Sequence, residues 1–261
     1  MSAATNTPLL SVRQATKRFG GLTAVNALSF DVYPGEVVGL LGPNGSGKTT
    51  AMNLISGALP INGGEIHFNG KPLHTLKSHQ IARLGVARTF QLVKVLGSMT
   101  CLDNVMAGMA FKPRPWFGKA AVPRAAQLLQ RVGLSEFVDT PASDLTYINQ
   151  KRLELARALA LEPQILLLDE WLAGLNPSEL QQGIALISQL QASGLTILMV
   201  EHVMNAVHAL CSRCVVMNVG AKIADGPTAQ VLKDPEVVRA YLGGSDDDDD
   251  ETESAQEARH A

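Results

Sequence analysis

Residues 42–49 read Gly42-Pro43-Asn44-Gly45-Ser46-Gly47-Lys48-Thr49. This octapeptide fits the pattern G-x-x-x-x-G-K-[ST], follows the apolar run 37–41 and opens a helical stretch that begins with Thr50. Glycines without side chains let successive backbone N–H groups curve around a phosphate, and a helix N-terminus adds a dipole that favours an anion. We therefore predict a phosphate-binding loop between a strand and a helix. In such a loop Lys48 reaches the β- and γ-phosphates and Thr49 places its hydroxyl on Mg²⁺.

The composition is that of a globular protein. The chain has 261 residues, 46% hydrophobic and 18% charged, which suits one or two domains with a substantial core. No apolar run approaches the ~18 to 20 residues that span a bilayer, and the polar start lacks the features of an export signal. We therefore expect a cytosolic protein. Eight of the 24 acidic residues lie in 246–261, so the rest of the chain is mildly basic. A mildly basic surface is compatible with binding nucleotide phosphates or anionic head groups.

The three cysteines do not suggest a disulfide framework, because Cys101, Cys211 and Cys214 cannot all pair. Cys211 and Cys214 match C-x-x-C, and His208 lies one turn earlier, so a redox or metal site is an alternative. Cys211 ends an apolar helical stretch and Cys214 begins the strand-like residues 215–217, where small buried hydrophobic residues are expected. The pattern favours structural thiols.

Two groups of strands are predicted. Residues 10–33 show apolar positions at every second residue around a turn at Gly20-Gly21, and residues 65–70 alternate in the same way, which indicates an antiparallel β lobe. The run at 165–168 is apolar throughout, as in parallel strands covered on both faces, and residues 85–90 and 195–200 are interpreted as further strands, the first of them buried and the second parallel.

Helical patterns separate the apolar strands. Residues 102–161 are mostly helical, with a loop at 112–118 and a strongly amphipathic stretch at 151–161. A later helix is predicted to start at Pro177, with Asn176 as its N-cap, and to end near Gly194. Its expected buried stripe consists of Leu180, Ile184 and Ile187. Alternating strands and helices predict an α/β sheet.

Polar side chains follow these strands where ligands bind, beyond the carboxyl ends of an open α/β sheet. Gln91, Asp169 with Glu170, and His202 stand at three such ends, and the phosphate loop stands at a fourth. Asp169 has the position needed to hold Mg²⁺ through its waters, and Glu170 could orient or deprotonate an attacking water. The combination predicts hydrolysis of a nucleoside triphosphate.

In this combination the sequence resembles the ATP-binding subunits of ABC transporters over residues 9–244. Gln91 in Thr89-Phe90-Gln91 matches the Q-loop, Asp169-Glu170 matches Walker B with the catalytic glutamate, and His202 matches the switch histidine. Phe19 matches the aromatic residue that stacks on adenine.

Two other segments, 173–177 and 234–243, look most like the branched-chain amino acid importer group. That group also serves urea, amides and other small organic solutes.

The resemblance implies an α/β P-loop NTPase fold with a RecA-like core, an antiparallel β lobe and an α-helical lobe at about 92–160. It implies ATP and Mg²⁺ as cofactors. The implied nucleotide contacts are Phe19, residues 42–50 and, on the ATP of a second subunit, Thr146. The implied metal ligands are Thr49, Gln91 and Asp169. The implied catalytic residues are Gln91, Glu170 and His202.

The resemblance also implies partners and a location. Two ATP-binding subunits, expected to be different chains, would sandwich two ATP molecules against membrane permease subunits. A solute-binding protein would act indirectly, and no nucleic acid is expected to bind. The subunit would be cytoplasmic and peripheral on the inner face of the cell membrane.

Two positions depart from the family pattern. The signature segment aligns with residues 145–149, where Ile148 replaces a glycine that lets the backbone approach phosphate closely. Trp171 stands where a proline usually follows the catalytic glutamate. If Ile148 hinders that approach, the ATP site facing it should turn over slowly.

Two other functions fit parts of the sequence. One is a P-loop ATPase of DNA repair or translation, although the long coiled coil or fused second ATPase of such proteins is not seen. The other is a regulatory ATP-binding subunit with low turnover, which Ile148 would suit. The acidic residues 245–261, with five consecutive aspartates, are expected to be disordered and solvated.

Overall fold

The structure, a computed structural model, describes residues 7–112 and 116–242. The predicted acidic tail at 245–261 and the centre of the predicted loop at 112–118 lie outside these residues.

In the described part of the chain, ten strands form two sheets. The strands are β1 (Leu10–Phe19), β2 (Leu22–Val32), β3 (Val37–Leu41), β4 (Gly63–Phe68), β5 (Lys71–Pro72), β6 (Val86–Arg88), β7 (Ile165–Asp169), β8 (Thr196–Val200), β9 (Arg213–Asn218) and β10 (Ala221–Pro227). The α-helices of the same residues are α1 (Lys48–Ile55), α2 (Ser78–Leu84), α3 (Cys101–Met109), α4 (Val122–Arg131), α5 (Tyr147–Leu159), α6 (Pro177–Ala192), α7 (Met204–Leu210), α8 (Thr228–Val231) and α9 (Pro235–Leu242).

The first sheet is antiparallel, in the order β2-β1-β4-β5. Its strands alternate between buried and exposed positions, and Ile66 and Phe68 of β4 face the core. The predicted antiparallel β lobe is therefore confirmed.

The second sheet has the order β10-β9-β3-β8-β7-β6, and every neighbouring pair except β10 with β9 is parallel. Each residue of β3, β7 and β8 is buried, as expected for central strands covered on both faces. This order brings the carboxyl ends of β3, β8, β7 and β6 together at one edge. The α/β core predicted from the apolar runs is confirmed.

Strand β3 belongs to two hydrophobic cores. Val37 and Leu41 pack with the helical lobe, whereas Val38 and Leu40 pack with α1 and the β lobe. Because successive side chains of a strand point to opposite faces, these four residues anchor the phosphate loop in both cores.

Helix α5 differs from its prediction in position and in character. It begins at Tyr147 rather than near Lys151. Most of its residues are buried, whereas an amphipathic helix would bury only its apolar face. Lys151 and Glu154 look like an exposed polar face in the sequence, yet both are buried. Their polar atoms bind backbone groups of neighbouring segments, which offsets part of the cost of burying them; Oε2 of Glu154 has no hydrogen-bond partner among the described residues.

Helix α6 begins as predicted. The Asn176 side chain accepts a hydrogen bond from the N–H of Glu179 (2.9 Å), and the Glu179 carboxylate accepts one from the N–H of Asn176 (3.0 Å). The predicted stripe is only partly correct, since Leu180 and Ile184 are half-buried. The buried large side chains of the helix are Leu186, Ile187 and Leu190.

The cysteines are buried free thiols. A Cβ atom added at Gly39 of β3 would lie 3.1 Å from Sγ of Cys214 and 3.2 Å from Sγ of Cys211, so both thiols fill space beside this glycine. The described residues contain no group of three or more histidine, cysteine, aspartate or glutamate side chains placed to hold a metal ion. This packing supports the structural interpretation of the C-x-x-C pair.

None of the helices within residues 7–112 and 116–242 combines the length and the apolar character that crossing a membrane requires.

Candidate active site

The phosphate loop takes a shape that requires glycine. Gly42 and Gly47 have positive φ angles of 143° and 100°. A Cβ atom would lie 2.1 Å from the Met217 carbonyl oxygen at Gly42, and 2.3 Å from the Ala24 carbonyl oxygen at Gly47. Helix α1 starts at Lys48, within the last two residues of the loop, so the N–H groups of its first turn, which have no partner inside the helix, lie at the loop.

Lys48 crosses the loop. Its Nζ atom donates to the carbonyl oxygens of Gly42 and Pro43, both at 2.7 Å. Burial lowers the pKa of Lys48, and the nearby carboxylates of Glu170 and Asp169 oppose that shift. The ammonium group is thus held at the loop within the field of the two predicted acidic site residues.

Two buried oxygens suit a nucleotide and its metal ion. Ser46 Oγ and Asp169 Oδ1 are buried and have no hydrogen-bond partner among the described residues. Buried polar atoms are normally satisfied, so such atoms beside a phosphate loop are free to bind a ligand. Thr49 adds an exposed hydroxyl, and hydroxyl and carboxylate oxygens are ligands that Mg²⁺ accepts. The residues present fit both ATP and Mg²⁺.

A buried arginine that the sequence analysis missed fixes the orientation of Asp169. Arg88 donates from Nη2 to Oδ2 of Asp169 (2.7 Å) and from Nη1 to Asn53 Oδ1 (2.6 Å) and Ser56 Oγ (3.1 Å). The ion pair between Arg88 and Asp169 occupies Oδ2 of the carboxylate and leaves Oδ1 without a partner among the described residues. The available signal was a charged residue, an arginine, within the predicted buried strand at 85–90.

The three predicted catalytic residues lie together. Gln91 donates from Nε2 to Oε2 of Glu170 at 2.8 Å, and Nδ1 of His202 lies 3.9 Å from Oε1 of the same carboxylate. Glu170 has a positive φ of 51°, and its N–H donates to the Val200 carbonyl of β8 (2.9 Å). The residues that follow β6, β7 and β8 therefore meet at the Glu170 carboxylate. This agrees with the prediction that the carboxyl ends of these strands lie at one edge of the sheet.

Helix α5 supports the turn after Glu170. Nζ of Lys151 donates to the carbonyl oxygens of Trp171 (2.9 Å) and Ala173 (2.8 Å), and the Trp171 ring nitrogen donates to the Lys151 carbonyl (3.2 Å). Burial lowers the pKa of Lys151, and neighbouring glutamates oppose that shift. Trp171 is fully buried in this contact. The packing therefore accommodates a tryptophan where the family usually has a proline.

Glu201 closes the turn from the other side. Its Oε1 accepts a hydrogen bond from the N–H of Leu172 (2.7 Å). Burial raises its pKa to about 7. Glu201 immediately precedes His202, so the turn after the predicted base is tied directly to the segment that carries the histidine.

The remaining predicted contacts lie in other elements. Phe19 ends β1 with its ring partly exposed, and the ammonium of Lys17 lies 5.1 Å from the ring centroid. Thr50 is the third residue of α1. Thr146 is exposed just before α5, and its side chain caps no helix N–H. An exposed position suits the predicted contact of Thr146 with a nucleotide held by another subunit.

The parallel sheet, the glycine loop and the carboxylate pair at the sheet edge define a P-loop nucleotide hydrolase. The family described as ABC transporter matches residues 25–173, and the family described as branched-chain amino acid ATP-binding cassette transporter matches residues 221–247.

Individual relatives match over nearly their whole length. The chain is 42% identical over 250 residues to the high-affinity branched-chain amino acid transport ATP-binding protein LivG of Escherichia coli, covering 90% of this chain and 98% of LivG. It is 41% identical over 252 residues to the corresponding protein BraF of Pseudomonas aeruginosa, covering 90% of this chain and 98% of BraF. A solved nucleotide-free ATP-binding cassette from an ABC transporter superposes with a TM-score of 0.82 at 30% identity, over 90% of this chain and 98% of that one.

The chain therefore belongs to the ABC transporter family, as an ATP-binding subunit. It binds nucleotide, and it is an ATPase whose hydrolysis is coupled to transport. The family and fold expected from the motifs are confirmed.

Proposed function

We propose that this subunit powers the uptake of a branched-chain amino acid or a related small organic solute through a membrane permease. The names of the relatives and the match at residues 221–247 support the solute class. The proposed mechanism depends on the contact between Gln91 and Glu170, because it joins the predicted water-activating carboxylate to the segment whose Phe90 and Lys94 line a surface cavity. The subunit would work on the cytoplasmic face of the membrane.

The site residues take the following roles in this proposal. Lys48 would exchange the carbonyls of Gly42 and Pro43 for the β- and γ-phosphates, which offer it a stronger, charged acceptor. Glu170 would take a proton from the attacking water while its other oxygen stays bonded to Gln91. His202 would stand beside the same carboxylate.

Thr49, Gln91 and Asp169 would hold Mg²⁺, which neutralises negative charge on the phosphates when it is bound. Arg88 keeps one Asp169 oxygen occupied, so the other is the oxygen available for this purpose. Phe19 would stack on the adenine ring.

The cavity beside the Q-loop suits a permease segment. It measures about 400 Å³. Helix α5 fixes its floor, since Glu154 accepts a hydrogen bond from the N–H of Lys94 (3.2 Å) and Arg157 donates to the Lys94 carbonyl. The walls combine aromatic and basic side chains, including His79, Arg83, Phe90, Lys94, Phe111 and Arg157. An occupant with apolar and acidic residues would complement these walls.

We expect Phe111→Asp to abolish co-purification with the permease while nucleotide affinity stays at the parental value. Phe111 is an exposed aromatic wall residue, and a carboxylate there would be desolvated by an apolar partner. The matched control is Val122→Asp, also apolar to acidic in the helical lobe, at the exposed first residue of α4. Equal permease recovery with Phe111→Asp and Val122→Asp would contradict docking in this cavity.

A second ATP-binding subunit, expected to be a different chain, would complete each ATP site in this proposal. Thr146 and Tyr147 are the exposed residues at the start of α5, so they would face the ATP of that subunit. Ile148 is buried instead, with 9% of its surface exposed. Its side chain points into this chain, which gives a physical reason for the substitution to be tolerated.

We accordingly expect Ile148→Gly to leave turnover at the site it faces unchanged, and to lower the melting temperature by on the order of 5 to 10 °C. The variant loses a buried side chain and places glycine in a helix. Ile148→Ala is the control, since it removes the side chain without the glycine backbone. Faster hydrolysis in the assembled complex with Ile148→Gly would show instead that Ile148 hinders that ATP site.

A further inference from the structure

The last helix of the described chain touches the phosphate loop. Tyr241 lies in α9, and its hydroxyl oxygen accepts a hydrogen bond of 2.8 Å from the N–H of Gly42. The two residues are 199 positions apart in the sequence. Burial raises the pKa of Tyr241, so the group is a neutral phenol that accepts this bond.

We propose that Tyr241 is a positioning residue that holds the phosphate loop in the shape that binds nucleotide. The proposal rests on the nucleotide site proposed above. It assigns to α9 a part in ATP binding that acts through the backbone of Gly42.

Gly42 is the point of the loop where such a restraint has most effect. It is the residue at which the chain leaves β3, and it is a glycine with a positive φ, so its own conformational preferences restrict the backbone least and a hydrogen bond to its N–H restricts the loop directly. Lys48 holds the carbonyl of Gly42 and Tyr241 holds its N–H. When Lys48 leaves the Gly42 carbonyl to bind a phosphate, the hydrogen bond to Tyr241 still restrains Gly42.

The position of Tyr241 is itself fixed by packing. Val237, one turn earlier in α9, is buried, and the Tyr241 ring packs against the same core. The hydroxyl can therefore be removed without removing the packing, which makes Tyr241→Phe an informative variant. Without its acceptor, the Gly42 N–H no longer ties the loop to α9, and binding must then order a looser loop.

The experiment compares the full chain with Tyr241→Phe. We expect ATP affinity to fall by about 2- to 10-fold, the range for one hydrogen bond, with an almost unchanged melting temperature. Amide hydrogen exchange should accelerate at Gly42 and its loop neighbours. In the assembled transporter the KM for ATP should rise while kcat stays near the parental value.

Two controls isolate the hydroxyl. Tyr33→Phe makes the same chemical change before β3, at the opposite end of that strand from the loop, and should leave ATP affinity unchanged. A chain ended after Ser245 keeps Tyr241 and α9 while removing the acidic residues that follow, and it too should bind ATP normally.

Parental ATP affinity in Tyr241→Phe would overturn the proposal, whether or not the melting temperature falls, because a purely structural tyrosine would affect stability alone. Failure of the nucleotide site itself would be recognised separately. In that case Lys48→Ala would also bind ATP normally.

Discussion

Glu170→Gln is expected to bind ATP as the parent chain does and to hydrolyse it slower by ~10²-fold or more, the usual range for losing a general base. An amide oxygen can still accept the hydrogen bond from Gln91, so the shape of the site is kept while the proton acceptor is lost. The measurement is phosphate release by the assembled transporter, together with ATP affinity. Bound ATP should persist in the variant.

The matched control is Glu179→Gln, which makes the same change at the start of α6. Glutamine preserves the capping box there, so neither activity nor stability should change appreciably. If Glu170→Gln released phosphate at the parental rate, another residue would have to be the base.

Lys48→Ala is expected to weaken ATP binding on the order of 10²-fold, because it removes the point charge aimed at the β- and γ-phosphates. ATP affinity of the full chain is the measurement. Lys222→Ala is the control, since Lys222 pairs with Asp225 on the β10 strand and takes no part in the loop. Near-parental affinity in Lys48→Ala would reject the phosphate-loop assignment.

The sequence was sufficient to predict which side chains meet at the edge of the sheet. The meeting of Gln91, Glu170 and His202 followed from one rule, that parallel strands end at the same edge of a sheet. The start of α6 was equally predictable, because a capping box is a contact between residues three positions apart. In both cases the deciding interactions are local or follow from the strand pattern.

The missed features depend on distant residues. The pairing of Arg88 with Asp169 and that of Tyr241 with Gly42 join residues 81 and 199 positions apart, and no local pattern specifies either. Helix α5 was misjudged for a related reason. Lys151 looks solvent-exposed in the sequence, whereas backbone carbonyls of the turn after Glu170 bind its ammonium group.

The double anchoring of β3 links nucleotide binding to cooperative unfolding. The strand contributes Val37 and Leu41 to one core and Val38 and Leu40 to the other, so melting of either lobe removes the base of the loop. A ligand that binds only the native loop then stabilises both lobes together, by about 2.7 kcal/mol at a hundred times its dissociation constant. Protease resistance of the β lobe and of the helical lobe should consequently rise in parallel as ATP is added.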